Sequence, residues 1–102
     1  MKYNKLVRDK IPQIIADDGS IAVTHIADGV EYWEMLKAKL LEEAAEVVED
    51  TNVKEELADL LEVIHSILEY KKISFDELEV VRLEKRAKRG GFEDRIILEE
   101  TR

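Results

Sequence analysis

Residues 39–64 read KLLEEAAEVVEDTNVKEELADLLEVI. Two apolar stretches flank a polar break, and each carries acids where a core-facing helix is expected to be greasy. At about 100° of rotation per residue, Trp33, Leu36, Leu40, Ala44, Val47 and Val48 share one apolar arc of a first helix. Glu43 sits at the edge of that arc, Glu46 just beyond it, and Glu42 and Glu49 on the outer face. In a second helix Leu57, Leu60, Leu61, Val63, Ile64, Ile67 and Leu68 form the arc. Glu56 falls within it between Val63 and Ile67, and Asp59 borders it. The predicted fold is mainly α, an antiparallel helical bundle, with short strands at its periphery.

Helix ends are marked by capping patterns. Asp28 followed by Glu31 forms a capping box that opens the first long helix, which runs to about Asp50. Asn52 with Glu55 repeats the device for a helix ending near Tyr70, and Ser74 with Glu77 opens a third that Gly90 and Gly91 stop. Ahead of these, Asp9 is placed to cap a short helix over Lys10–Asp17, with Pro12 in its first turn and Gly19 ending it. The β-branched run SIAVTHIADG (20–29) predicts a strand near Ile21–Ile26, and the tail FEDRIILEE (92–100) offers a second strand to pair with it.

A carboxylate on a core-facing stripe loses hydration at a cost unless a partner meets it. Folding the two long helices antiparallel about Thr51 puts Glu46 and Glu56 five positions from the turn, and Glu43 and Asp59 eight. Each acid then faces another acid at the same height. No Lys or Arg occupies those positions, so the expected neutraliser is a divalent metal held by Glu43, Glu46, Glu56 and Asp59. Oxygen-only ligands favour Mg²⁺, with Mn²⁺ as the alternative, over zinc or copper. The contrary reading is that these are ordinary solvated acids on a charged surface.

The chain has 102 residues and a formal net charge of −8, which argues against a general binder of nucleic-acid polymers or anionic membranes. One domain spanning 1–102 is expected, small enough that self-association is a fair prior. Cysteine is absent, which removes disulfides, thiolate nucleophiles and sulfur-ligated zinc. Neither a membrane-spanning run nor the greasy core of a secretion signal is visible, so a cytoplasmic setting is expected. His25 and His65 lie too far apart for helical pairing and read as structural, Trp33 reads as core, and Tyr32 is left open between packing and stacking on a base.

The charge is unevenly spread. Residues 28–69 carry thirteen acids against Lys37, Lys39 and Lys54, whereas residues 1–10 and 82–95 are each net positive. An acidic middle between basic ends suits a site for both a cation and a polyanion. Lys85, Arg86, Lys88 and Arg89 are candidate phosphate contacts, with Gly90 and Gly91 letting backbone amides approach. Lys5, Arg8 and Lys10 are candidates at the other end. Basic residues in a last helical turn also complement the helix dipole without any ligand.

The blocks EEAAE (Glu42–Glu46) and ELAD (Glu56–Asp59) are similar to the EExxE and ExxD pair of the MazG-like all-α nucleoside triphosphate pyrophosphohydrolases. That superfamily includes phosphoribosyl-ATP pyrophosphohydrolases and dimeric dUTPases. KLVRDKIP (5–12) and KRGGFEDRIIL (88–98) look like a subgroup labelled phosphoribosyl-ATP pyrophosphohydrolase-like, so the resemblance covers nearly the whole chain. It implies a Mg²⁺ enzyme, a homodimer or dimer of dimers, that cleaves a nucleoside triphosphate between its α and β phosphates. It implies Glu43, Glu46, Glu56 and Asp59 as metal ligands and Glu42 as an auxiliary acid; in the mechanism that follows, the catalytic base is expected to be Glu42 or Glu46. The alternatives are a phosphoribosyl-ATP pyrophosphohydrolase, a helical module that binds metal or nucleotide without cutting it, and a non-catalytic interaction module.

Overall fold

Among the described residues, Leu36, Val63 and Leu68 are the buried apolar side chains, and they fix the centre as a hairpin of two long helices. A computed structural model describes residues 4–49 and 51–102. Among them four helices follow in order: α1 (Ile11–Asp17), α2 (Gly29–Glu49), α3 (Val53–Lys71) and α4 (Phe75–Arg89). The expected mainly-α helical bundle is what forms, with α2 and α3 as its one extensively packed pair. They run antiparallel. Trp33 near the start of α2 stacks on Tyr70 at the end of α3, ring centroids 5.4 Å apart, while Tyr32 meets Tyr70 edge-on. The Tyr70 hydroxyl donates to the Gly29 carbonyl at 3.1 Å, and the Lys71 ammonium lies 4.3 Å from the Trp33 ring centre. Trp33 and Tyr32 thus pack against the far end of the hairpin.

The capping patterns set the helix starts, though not always through the cap bond. Asp28 Oδ1 accepts from the Glu31 amide at 2.9 Å, and Ser74 Oγ accepts from the Glu77 amide at 3.0 Å. The reciprocal half of the first box does not form, because the Glu31 carboxylate meets His25 Nε2 at 2.8 Å instead. Asn52 is the N-cap of α3 but makes no side-chain cap bond. At α1 the cap position falls on Lys10 rather than Asp9, since the Ile11 amide closes a turn onto the Arg8 carbonyl at 3.0 Å. Asp50, the expected end of the first long helix, lies outside the described residues. His65 stacks on Phe75 at 5.2 Å and ties the start of α4 to α3.

The two expected strands do not form. Ile21, Val23 and Ile26 are 90%, 94% and 95% exposed, and the tail residues Ile96, Ile97 and Leu98 are nearly as bare. Period-two alternation can say which face a strand would bury, but a strand exists only once a partner supplies the ladder, and here neither segment reaches the other.

These exposures belong to a general pattern. The radius of gyration is 18.1 Å, against about 13 Å for a compact chain of this length. The accessible surface of 9444 Å² compares with about 5,900 Å² for a compact monomer of this mass. No residue of α4 is buried, and Val80, Val81 and Leu83 on it are about half exposed. No helix among the described residues is long and apolar enough to cross a membrane.

Candidate metal centre

Glu43 lies seven residues after Leu36, which brings it round to about 20° from the most deeply buried side chain of α2. It is accordingly only 8% exposed, and is the buried charged residue of the domain among those described. The arc that placed it at an edge is thereby corrected: Glu43 is on the inner line. On α3 the same arithmetic works backwards from Val63, with Glu56 seven residues before it and Asp59 four before it, so both acids are half-buried towards α2. One carboxylate oxygen from each of Glu43, Glu56 and Asp59 lies within 4.8 Å of the others.

Glu46 stays outside this group and is exposed. Counting outward from Thr51 gives height along the hairpin but not direction around it. Ten residues after Leu36, Glu46 has turned about 80° off the inner line. Glu42, beside Glu43 in sequence, is exposed on the outer side.

The expectation that no cation reaches these acids is also corrected. Lys39, one turn before Glu43, places Nζ 3.3 Å from Glu43 Oε1 and 3.5 Å from Glu42 Oε1. Arg8 donates from Nη2 to Asp59 Oδ1 at 2.7 Å across 51 residues of sequence. Lys39 was legible, since a Lys four residues before a Glu on one helix is a standard pairing distance. The partner of Arg8 was not.

The donor set fits a hard divalent cation. Three carboxylates on two helices supply oxygen ligands and leave further positions for water or phosphate oxygens, the habit of Mg²⁺ and Mn²⁺ sites. Lys39 and Arg8 pair with two of the three acids, so an ion held through Glu43 or Asp59 would compete with a cation for part of its contact.

The basic candidates are dispersed. Lys5 lines a cavity of about 100 Å³ with Leu6, Met35, Ala38, Lys39 and Glu42, close to the acids, whereas Lys10 is exposed at the start of α1. On α4, Arg86 donates to Glu93 at 2.7 Å, and Lys85, Lys88 and Arg89 are exposed. The Arg86 hydrogen bond holds the Glu93 carboxyl below the usual carboxylate range. The pair is therefore intact at neutral pH and is lost only as pH falls through that lowered value. The Gly90 amide, expected to face a phosphate, donates instead to the Arg86 carbonyl at 2.8 Å and closes α4. Gly90 takes a positive φ of 82°, and a Cβ at Gly91 would run into the Arg86 and Glu93 side chains. Both glycines thus serve the helix terminus in this arrangement.

A stretch of 43 residues is 46% identical to an uncharacterized protein of Mycolicibacterium smegmatis, covering 42% of this chain and 44% of that protein. No family model matches the chain, and no solved structure does.

Proposed function

We propose that the chain is a MazG-like, Mg²⁺-dependent nucleoside triphosphate pyrophosphohydrolase, releasing a nucleoside monophosphate and pyrophosphate. The observation that carries the reading is the convergence of Glu43, Glu56 and Asp59 at the centre of the α2/α3 hairpin, on the blocks whose resemblance points to that chemistry. When bound, a divalent cation would neutralise phosphate charge and activate water there. The protein's own share is different. Glu43, on the line of Leu36, offers a buried carboxylate that pairs with Lys39 on its own helix. Glu42, exposed beside Glu43, or Glu46 one turn on, is the candidate to take the proton from an attacking water. Attack at phosphorus then breaks the bond to the α–β bridging oxygen, which leaves with the other product.

The counter-charge for the departing pyrophosphate is assigned to Lys85, Lys88 and Arg89 of a second copy, since these side chains are exposed on α4. Self-association has independent support. The surface excess over a compact monomer is about 3,500 Å² per chain, more than the roughly 800 Å² per partner of an ordinary interface. Sedimentation equilibrium at micromolar concentration is expected to give a dimer or dimer of dimers; a monomer would contradict this assignment.

Pyrophosphate release from a panel of ordinary and modified nucleoside triphosphates tests the reaction, with Mg²⁺ or Mn²⁺ and again with chelator. Cation-dependent release of pyrophosphate with a monophosphate is the expected result. Binding without turnover across the panel would oppose it. The ion pairs of Lys39 and Arg8 favour a second reading, a non-catalytic module in which the acids are neutralised from within the chain, and absence of both cation uptake and turnover would support that.

A further inference from the structure

We propose that Arg8 competes with the divalent cation for Asp59, so that loading the acid group releases the amino-terminal segment 4–10 from the helical hairpin. This rests on the metal-centre reading and adds to it a coupling between the site and a distant part of the chain. Arg8 ties that segment to α3 through the 2.7 Å bond to Asp59 Oδ1. Upstream, Asn4, Lys5 and Leu6 form a cavity with Met35, Ala38, Lys39 and Glu42 of α2. The segment is therefore seated on both helices at the level of the acids, and it has no regular secondary structure until α1 begins at Ile11.

Two physical effects make the arginine a competitor rather than a support. It occupies an oxygen of a prospective ligand, and it adds a positive charge beside the site. Even at the dielectric of bulk water, a unit charge about 5 Å from a divalent ion changes its affinity by roughly tenfold. Lys39 differs because it sits on the same helix as Glu43, so that pair does not join two separate parts of the chain. Once free, Arg8 carries a forked donor suited to phosphate oxygens, which orders the events: cation first, then triphosphate.

Mn²⁺ titration by calorimetry on the full chain, without nucleotide, compares wild type with Arg8→Gln and Arg8→Lys, alongside amide hydrogen exchange of residues 5–9. Arg8→Gln is expected to bind Mn²⁺ about tenfold more tightly, and Arg8→Lys to stay near wild type because it keeps the charge. In wild type, Mn²⁺ should raise exchange over 5–9; in Arg8→Gln exchange should be high from the start and indifferent to the ion. Arg8 is more than half exposed, so loss of fold is not expected, and circular dichroism checks it. If wild type takes up Mn²⁺ while Arg8→Gln binds equally or more weakly, or exchange over 5–9 falls with the ion, the competition is overturned and the metal centre survives. If no protein takes up Mn²⁺, both are overturned.

Discussion

Glu56→Gln is expected to lower the proposed cation-dependent pyrophosphate release by about 10- to 100-fold or more while leaving the helical circular dichroism of the protein in place. The size follows from what the side chain is proposed to do. Groups that merely orient a metal ligand are worth about 10- to 100-fold in affinity or activity, and a ligand that loses its charge costs no less. Glutamine keeps the shape and is a good helix former, so α3 has no reason to melt. Glu46→Gln serves as the comparison. Glu46 stands outside the convergent acids, so its replacement should leave Mn²⁺ uptake near wild type and depress turnover only if it is the base. Release is followed by a coupled phosphate assay over a range of Mg²⁺. Recovery of Glu56→Gln at high Mg²⁺ would mean weakened ion binding; no recovery would mean the carboxylate is needed for the reaction itself.

Leu36→Ala removes the most deeply buried side chain described, 1% exposed, and is expected to cost about 2–5 kcal/mol. A domain of this length has about 5–15 kcal/mol in all, so the loss is a large share, and few other buried side chains stand ready to fill the gap. Denaturant unfolding followed by circular dichroism measures it, at matched protein concentration because association contributes to stability. A second consequence is local. Glu43 rides seven residues further along the same line of α2, so loosening Leu36 frees the buried carboxylate to rotate, and cation uptake should weaken together with stability. A stability change below about 0.5 kcal/mol, typical of surface positions, would show that the hairpin core is not centred where Leu36 lies.

Much of the fold was legible because its signals are local. Asp28 and Ser74 cap the helices they were expected to cap, and Gly90 ends α4 with a positive φ. Glu56 was legible inside the apolar arc of α3, whereas Glu43, expected at an edge, lies instead on the inner line of α2, seven residues from Leu36. Pairings between distant segments were not legible. Mirror counting matched Glu46 to Glu56 by height, but the rotation of α2 carries Glu46 aside. The Ile21–Ile26 stretch and the tail each had strand composition, yet a ladder needs a neighbour that neither sequence supplies. The contact of Arg8 with Asp59 spans 51 residues, and no periodicity encodes it; the amino-terminal motif marked Arg8 only as a candidate phosphate contact. Lys39 was the avoidable omission, one helical turn from Glu43.

One place in the α2/α3 hairpin is proposed to gather carboxylates around a divalent ion. Crystals grown with Mn²⁺ and measured at the manganese absorption edge test it most directly. We expect an anomalous peak roughly 2 Å from oxygens of Glu43, Glu56 and Asp59, with Arg8 turned away from Asp59. Ordered crystals at saturating Mn²⁺ that show no peak there, and keep Arg8 and Lys39 against the same acids, would contradict it.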